Sequence, residues 1–367
     1  RDSIYICCLF CLCYCWRGFC GCGALAGSQI LIFGCNSIAR TNASWALFLI
    51  ATLLLLISCE VRTIDVQGHR GARGLRPENT LSGFDLAIDL GVTTIELDLA
   101  VTKDRQVIVT HNPYIYGKIC CNSDGSSLAA DSFGRGVLVK DLPLAEIRQF
   151  DCGRLHPDTA RFPEPPRINI PGEKMPTLNE VFSLVRAKGN NVYLNIEMKI
   201  NPQYDVTIPE IEFVKTVVDV IQSSGIKDRV NLQSFNWRSL EKVKQIDPEI
   251  RTAGLLGSST FLPIHDSIPS PWLNGIDFDT AGGSALDILH QARAYIDIFS
   301  PSWRMVVPED SLYLNSSVNE IQESGFPVIP WTVNRQNEMK TLIKLGVAGI
   351  ITDYPDSLIT VSYTHLR

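Results

Sequence analysis

The chain has 367 residues, enough for one large domain or two ordinary ones. Apolar residues make up 45% of it and charged residues 20%, a balance that excludes disordered and collagen-like chains. The formal net charge of −6 gives no indication of a nucleic-acid-binding protein.

The first 59 residues differ from the rest of the chain and have the features of a targeting region. The sequence starts at Arg1 and its first methionine is Met175, which indicates a fragment or a misassigned start. Eight of the twelve cysteines lie at or before Cys35, in spacings that match no zinc motif. We leave residues 1–39 unexplained and interpret them as a mistranslated or upstream stretch.

Residues 40–59 are interpreted as a signal peptide that exports the protein. Arg40 precedes a run of 13 uncharged residues, 45–57. The run is shorter than the roughly 20 residues of a bilayer span but typical of the apolar region of a signal peptide. It ends in Leu-Ile-Ser-Cys, which resembles a bacterial lipobox and predicts lipidation of Cys59 and a lipid-anchored periplasmic or cell-envelope location. Ordinary cleavage and an uncleaved anchor are the alternatives.

Three cysteines, Cys120, Cys121 and Cys152, follow the signal region. An oxidising compartment permits a disulfide between Cys152 and one of the adjacent pair, which leaves one thiol over. Loop cysteines without a role are the alternative.

From residue 60 to residue 360, short apolar strands alternate with helical patterns. Continuous apolar strands joined by helices predict a parallel sheet covered on both faces. Nine predicted strands favour a (β/α)8 barrel with extra elements, for which about 250 residues is typical. An open doubly wound sheet is the competitor, although its Gly-rich turn after the first strand is missing. The predicted strands are 64–67, 94–99, 192–198, 230–234, 251–256, 276–278, 296–299, 328–332 and 349–352, and the predicted helices are 80–90, 178–188, 209–223, 238–245, 286–294, 318–324 and 337–344.

Residues 115–176 interrupt this alternation with clusters of Gly, Ser, Asp and Pro and one short predicted helix, 144–150. A connection of this length is usually functional or an inserted subdomain. We expect an insertion over the mouth of the barrel. Residues 361–367 are interpreted as a tail outside the domain, left by sequencing or cloning.

Acidic residues at the ends of two predicted strands indicate a metal site. Glu96 and Asp98 are two residues apart in a strand, so both side chains share one face and point into the barrel. Two unpaired charges there would cost several kcal/mol each, which a divalent cation with carboxylate ligands would offset. Glu197 ends the next predicted strand and completes a three-carboxylate site, with Lys199 on the same face. A structural Glu197–Lys199 ion pair is the alternative.

Two histidines have neighbours that suit acid–base chemistry on a phosphate. His69 and Arg70 end the first strand, where a His transfers protons near neutral pH and an Arg binds phosphate or carboxylate. Residues 107–110 are predicted to pair with residues 98–102 in a hairpin that returns His111 toward the carboxylates. Two imidazoles beside a phosphorus centre suit the roles of base and acid.

Other mechanisms lack their motifs. The chain has no Gly-x-Ser-x-Gly elbow, P-loop or His-Glu-x-x-His motif, which disfavours serine hydrolases, P-loop nucleotidases and zincins. Weaker binding candidates are Gln233 and Trp331 at strand ends, and a core aromatic is the equal alternative for Trp331. Glu78 and Asn79 precede the first helix, where capping by Asn79 is the alternative role. Asp353 ends the last strand, where capping and catalysis are equal alternatives.

Taken together, and in their order along the chain, the sequence motifs resemble those of the glycerophosphodiester phosphodiesterase family over residues 64–356. The resemblance is carried by His69-Arg70-Gly71, Pro77-Glu78-Asn79-Thr80, Glu96-Leu97-Asp98, His111, Glu197-Met198-Lys199, Gln233-Ser234-Phe235, Pro330-Trp331-Thr332-Val333-Asn334 and Thr352-Asp353-Tyr354-Pro355.

This resemblance implies a (β/α)8 barrel that hydrolyses glycerophosphodiesters to glycerol 3-phosphate and an alcohol. It implies Ca²⁺ or Mg²⁺ bound by Glu96, Asp98 and Glu197. It also implies an acid–base pair, His69 and His111, with Arg70 and Lys199 on the phosphate. The chain departs from the family at Asn112, where members commonly have Asp.

Two other functions are the alternatives to this one. One is a phospholipid-cleaving barrel enzyme of the sphingomyelinase D type. The other is a lipid-tethered protein that binds glycerophosphodiesters without cleaving them.

Overall fold

The structure is a computed structural model that describes residues 63–155, 167–189, 191–261 and 269–365. The predicted signal segment, Cys59 and residues 1–39 lie outside these ranges. Within them, no helix combines the length and the apolar character needed to cross a bilayer.

The described strands and helices alternate along the chain. The strands are β1 (Asp65–Gly68), β2 (Thr94–Val101), β3 (Val107–Val109), β4 (Tyr114–Tyr116), β5 (Arg135–Leu138), β6 (Tyr193–Met198), β7 (Val230–Ser234), β8 (Arg251–Leu256), β9 (Ile298–Pro301) and β10 (Gly349–Thr352). The α-helices are α1 (Leu81–Leu90), α2 (Leu144–Ile147), α3 (Leu178–Lys188), α4 (Glu210–Gln222), α5 (Trp237–Ile246), α6 (Ser258–Phe261), α7 (Phe278–Ala281), α8 (Ala285–Gln291), α9 (Val318–Glu323), α10 (Gln336–Leu345) and α11 (Pro355–His365).

The parallel strands lie side by side in the order β10, β1, β2, β6, β7, β8 and β9, and the short β3 pairs antiparallel with β2. The space between β9 and β10 is filled by residues 328–333. On one side, Ile329 and Trp331 donate backbone hydrogen bonds to β9, and on the other side Ile351 donates to Pro330. Because Pro330 has no N–H to donate, this segment pairs irregularly. With it, the sheet has the eight positions of the predicted barrel.

Apolar faces of the strands and helices form the main core between the barrel and its outer layer. Local caps fix where the helices begin and end. Thr177 and Glu180 form a reciprocal capping box at the start of α3. Gly91 ends α1 with φ 89°, a left-handed conformation that favours glycine.

One predicted strand, 276–278, is wrong. Residues 276–277 precede α7, whose N-cap Asp277 accepts a hydrogen bond from the backbone N of Thr280 at 2.8 Å. Asn274 and Gly275 have φ values of 54° and 84°, so the chain turns just before this segment and cannot extend through it. The hydrophobicity of Ile276 is satisfied by burial in the main core.

The inside of the barrel has a polar half and an apolar half. Ala253, Ile298, Ile329 and Ile351 form a small apolar cluster, packed against Trp331. Strands β1, β2, β6 and β7 carry buried polar side chains instead, and these include Gln67, Glu96, Asp98, Asn195, Glu197 and Gln233. Buried polar side chains need partners, and those partners define the site described below.

The insertion after β3 has a core of its own. Strands β4 and β5 form a separate antiparallel pair. The disulfide Cys120–Cys152 packs in a cluster with Ile115, Ile147 and Met175, next to β2 and β3. The predicted pairing of Cys152 with one of the adjacent cysteines is confirmed, and Cys121 is the buried free thiol.

At the C-terminal end, α11 continues through the predicted domain boundary at residue 360. Val361 is buried in the main core. The barrel domain therefore extends to at least His365.

Candidate active site

Strand register brings three carboxylates together. Glu96 and Asp98 point into the barrel because Ile95, Leu97 and Leu99 alternate with them and pack in the outer core. Strand β6 runs parallel to β2, and Glu197 is the register partner of Asp98. One oxygen atom from each of Glu96, Asp98 and Glu197 lies within 4.8 Å of the others, and all three residues are buried. The predicted acidic cluster is therefore formed by two neighbouring strands.

The three carboxylates cannot all ionise easily at such proximity. Burial and the charges of Asp98 and Glu197 raise the pKa of Glu96 well above 4.5. Burial, reinforced by Asp98 and opposed by Lys199, raises the pKa of Glu197 to about 7. Asp98 has the opposite shift: burial opposes ionisation, yet Arg70, His111 and Lys199 hold its pKa well below 3.8.

These residues fit a divalent cation. Among the described residues, Asp98 Oδ1 is buried and has no hydrogen-bond partner. A buried acceptor without a partner is costly, and a hard cation with oxygen ligands would satisfy it.

A chain of buried amides fixes the orientation of Glu96. Gln233 Nε2 donates to Glu96 Oε1 at 2.8 Å. Asn195 Nδ2 donates in turn to Gln233 Oε1 at 3.0 Å and to Gln67 Oε1 at 2.8 Å. Gln67 Nε2 then donates to Asp65 Oδ2 at 2.7 Å. Gln233, a predicted substrate ligand, thus bonds to a carboxylate of the cluster while it also lines the cleft.

The turn after β1 places two of the predicted residues. His69 lies with Nδ1 at 2.6 Å from Asp353 Oδ1, which leaves Nε2 facing Glu96 Oε2 at 3.9 Å. Burial lowers the pKa of His69 below 6.5, although the neighbouring Asp353 carboxylate raises it. Asn334 Nδ2 donates to the other oxygen of Asp353 at 2.7 Å and holds it in place.

Arg70 has a strained backbone with φ 51°, and its N–H donates to Glu96 Oε2 at 2.9 Å. Its guanidinium Nη1 donates to Glu78 Oε1 at 2.6 Å. Arg73 Nε donates a hydrogen bond to the other carboxylate oxygen of Glu78, Oε2, also at 2.6 Å. Glu78 therefore holds two guanidinium groups, both of which line the cleft.

Asn79, like Arg70, has a left-handed backbone conformation, with φ 55°. Its Nδ2 donates to Asp98 Oδ2 at 2.9 Å, and its Oδ1 accepts the backbone N–H of Asp98 at 3.3 Å. Capping of α1 falls to Thr80 instead. The side chain of Asn79 therefore orients an acidic residue of the cluster.

His111 reaches the same cleft through the predicted hairpin, which is confirmed by antiparallel pairing of β2 and β3. Its Nδ1 lies 3.3 Å from Asn112 Oδ1, a neutral amide. Burial, with the positive charges of Arg70 and Lys199, lowers the pKa of His111 well below 6.5. Lys199 Nζ lies 2.8 Å from Glu197 Oε1 and 3.7 Å from Asp98 Oδ1.

Aromatic side chains form one wall of the cleft. Trp331 Nε1 donates to the backbone oxygen of Ser300 at 2.9 Å, which fixes the indole. Its ring meets Phe235 edge to face, with centroids 5.3 Å apart. The cleft between this wall and the acidic cluster has a volume of about 200 Å³ and is lined by both histidines, Arg70, Glu96, Glu197 and Lys199, among others.

Of the predicted site residues, all except Cys59 lie in or against this cleft. Sequence reasoning missed Arg73, Asn195, Gln67 and Asn334, and it treated Asp353 as equally suited to capping. Polar side chains on inward positions of β1 and β6 are the signal that could have found Gln67 and Asn195. His290, on α8 and outside the cleft, is exposed.

Comparisons with known proteins relate the chain to one family. The model of the glycerophosphoryl diester phosphodiesterase family matches residues 69–357. A glycerophosphodiester phosphodiesterase from Caldanaerobacter subterraneus subsp. tengcongensis is 31% identical over 296 residues, which cover 81% of this chain and 96% of that protein. A glycerophosphodiester phosphodiesterase from Bacillus subtilis is 28% identical and covers 78% of this chain and 83% of its own length.

Solved structures are similar over the same part of the chain. A candidate glycerophosphoryl diester phosphodiesterase from Silicibacter pomeroyi has a TM-score of 0.69 and 29% identity, covering 83% of this chain and 94% of that one. An Oleispira antarctica phosphodiesterase, solved with its product sn-glycerol-3-phosphate, has a TM-score of 0.56 and 23% identity, covering 81% and 96%. At that identity the second likeness supports the barrel fold alone.

Proposed function

Because the chain belongs to the glycerophosphoryl diester phosphodiesterase family, we propose that it hydrolyses glycerophosphodiesters to sn-glycerol 3-phosphate and an alcohol. The observation that carries the proposal is the composition of one cleft, in which two imidazoles and three cationic side chains surround a buried acidic cluster. A purely binding protein would have no need for both imidazoles.

A divalent cation, Ca²⁺ or Mg²⁺, would be held by Glu96, Asp98 and Glu197. Bound there, it would neutralise negative charge on the phosphate oxygens of the substrate. The buried Oδ1 of Asp98, which has no hydrogen-bond partner, and the raised pKa values of Glu96 and Glu197 support this assignment.

The substrate phosphate is bound by Arg70 and Lys199, which both line the cleft. Their positive charges stabilise the charge that grows on the phosphate oxygens in the transition state. Glu78, Asn79 and Gln233 are positioning residues in this scheme, because each bonds to Arg70 or to an acidic residue of the cluster. Trp331 contacts the organic part of the substrate through the exposed part of its ring.

Proton transfer is divided between the histidines. His69 accepts a proton from the nucleophile, either water or the neighbouring glycerol hydroxyl in a cyclic-phosphate route. The carboxylate of Asp353 stabilises the imidazolium that forms on His69. His111 hydrogen-bonds only weakly to the neutral amide of Asn112, so its imidazolium gives up a proton more readily, and it protonates the leaving alkoxide as the ester P–O bond breaks.

A coupled assay for free glycerol 3-phosphate tests the proposal. The full chain is assayed on glycerophosphodiesters with several head groups, with and without Ca²⁺ or Mg²⁺. His69→Ala and His111→Ala are each expected to lower kcat by about 100-fold or more. His290→Ala, at an exposed position on α8, is the matched control and should keep wild-type activity. A His111→Ala protein with most of its diester hydrolysis would contradict the acid–base assignment.

We also propose that residues 40–59 export the chain and that lipidation of Cys59 tethers it to the membrane. The Cys120–Cys152 disulfide supports an oxidising destination. When the chain is expressed in a bacterium with labelled palmitate, the protein should carry the label and lie in the membrane fraction. The Cys59→Ser protein should carry no label and should leave the membrane fraction. An unlabelled wild-type chain in the soluble fraction would contradict lipidation.

A further inference from the structure

A second pocket adjoins the catalytic cleft and has a different character. Its volume is about 130 Å³, and it shares Glu197, Lys199 and Phe235 with the cleft. Away from that shared edge, its walls are apolar and include Ile200, Val206 and Trp272. It is therefore an apolar space that opens beside the phosphate-binding lysine.

Two acceptor groups of this pocket already have partners. Asn201 Oδ1 accepts backbone hydrogen bonds from Gln203 at 2.8 Å and Tyr204 at 3.2 Å, so it is not available to a ligand. Glu197 is paired with Lys199 at 2.8 Å. The Lys199 ammonium also lies 5.8 Å from the centroid of the Phe235 ring. A cation in the pocket would be repelled by this like charge, and the Glu197 carboxylate that lines the pocket is already paired with Lys199.

The position of the pocket relates it to the leaving group. His111, the proposed general acid, lines the cleft together with His69, and Pro113, two residues after His111, lines the pocket. A phosphodiester has two organic arms, and the arm that leaves must have its ester oxygen within reach of the acid. An arm that leaves on the His111 side of the phosphate would therefore extend toward this pocket.

Resting on the function proposed above, we propose that the pocket binds the alcohol arm of the diester and selects uncharged, apolar alcohols. The glycerol arm then occupies the more polar cleft beside His69 and Arg73. Burial of each additional methylene in an apolar pocket favours binding, and the same contact is retained while the ester bond breaks.

A chain-length series tests the inference. The methyl, ethyl, propyl and butyl esters of glycerol 3-phosphate are compared by kcat/KM on the full chain loaded with Ca²⁺ or Mg²⁺. We expect kcat/KM to rise about three-fold per methylene. Hydrolysis of all four esters at equal rates would overturn the inference while leaving the proposed function intact. Failure to hydrolyse any of them would contradict the proposed function itself.

A variant links the preference to this pocket. Val206→Phe should fill the space and flatten the series. Ile211→Phe is the matched control, because Ile211 is 54% exposed on α4 and lines neither pocket. An unchanged slope in a folded Val206→Phe protein would overturn the assignment.

The charge preference is tested with an isosteric pair. The choline ester and the 3,3-dimethylbutyl ester have the same shape and differ by one positive charge. The neutral ester should have a kcat/KM several-fold higher, and Lys199→Met should narrow the difference by removing the like charge even as it lowers both rates. A choline ester that is hydrolysed faster than its neutral isostere would overturn the claim of selection for uncharged alcohols.

Discussion

His69 Nδ1 and Asp353 Oδ1 lie 2.6 Å apart, although 284 positions separate the two residues in the chain. They meet because β1 and β10 are neighbours in the barrel, with Gly68 in register with Thr352. The Asp353 carboxylate accepts one further hydrogen bond, from Asn334, and its pKa stays well below 3.8 because His69 and Arg73 outweigh the effect of burial. The carboxylate is therefore ionised and fixed beside the imidazole.

Asp353→Asn should lower kcat by about 100-fold or more with little change in KM, because the imidazole loses its orientation and the stabilisation of its charged form. Loss of the carboxylate also lowers the pKa of His69. The rising limb of the pH–rate profile should therefore move to lower pH. Asp356→Asn, on α11 and outside the cleft, is the control. A drop in kcat with no movement of that limb would indicate a merely structural role for Asp353.

Asn112→Asp places a carboxylate beside His111, where Asn112 Oδ1 now lies 3.3 Å from Nδ1. Burial, Arg70 and Lys199 hold the pKa of His111 well below 6.5, and an added negative charge opposes them. The protonated acid form then persists to higher pH, so the falling limb of the pH–rate profile should shift upward. Asn112→Ala serves as the control without a new charge. Identical falling limbs for the wild type and Asn112→Asp would show that His111 is not the acid.

Removal of divalent cations should abolish activity, and added Ca²⁺ or Mg²⁺ should restore it. A cation that binds the folded chain alone also raises the unfolding temperature. Asp98→Asn should remove this cation-dependent rise, whereas Asp205→Asn, at an exposed position outside the cleft, should keep it. Full activity after exhaustive EDTA treatment would contradict a metal role.

Much of the barrel could be predicted from the sequence because its strands are short apolar runs bounded by turn residues. The predictions for β7, β8, β10 and α3 match the observed ends at every residue. The wrongly predicted strand at 276–278 has the same apolar composition. Whether such a segment forms a strand depends on a local cap and a turn, which composition does not reveal. Residues 328–332 lie where a barrel strand is predicted, although Pro330 interrupts their pairing.

The acidic cluster could be predicted because alternation in a strand is a local property, and Glu197 followed from its place at the end of the next strand. The roles of Glu78 and Asn79 could not, because they depend on which groups a turn places opposite them in space. The amide chain from Gln233 to Gln67 spans three strands. Single-sequence patterns carry no signal for such contacts between distant segments.

Loss of the Cys120–Cys152 disulfide should destabilise the insertion by about 3–4 kcal/mol, because its cross-link spans 32 positions and restricts the unfolded chain. The same disulfide lines a small cavity with His111 and Asn79, so activity should fall as well. The double variant Cys120→Ser, Cys152→Ser is compared with Cys121→Ser, which removes only the free thiol. Hydrogen exchange should show faster opening of β4 and β5 in the double variant alone. Equal protection in both proteins would contradict this role.

Glu210 begins α4 and links it to α5. Its carboxylate accepts hydrogen bonds from Arg238 at 2.6 Å and Asn236 at 3.2 Å, and its side chain is only 12% exposed. Burial opposes ionisation, but the hydrogen bonds from Arg238 and Asn236 lower the pKa of Glu210 below 4.5. A lowered carboxyl pKa contributes stability that is present above the unfolded-state pKa and is lost as pH falls through the folded-state value.

Glu210→Gln should therefore lower the free energy of unfolding by about 1–2 kcal/mol at pH 7, and the difference from wild type should shrink as the pH falls below about 4. Urea unfolding of both proteins at several pH values measures the difference. Glu212→Gln, in the same first turn, is the control, since its ion pair with Arg105 is exposed on both sides and contributes little. A Glu210→Gln deficit that stays constant down to pH 3 would show that packing of the side chain, and not its charge, stabilises the α4–α5 contact.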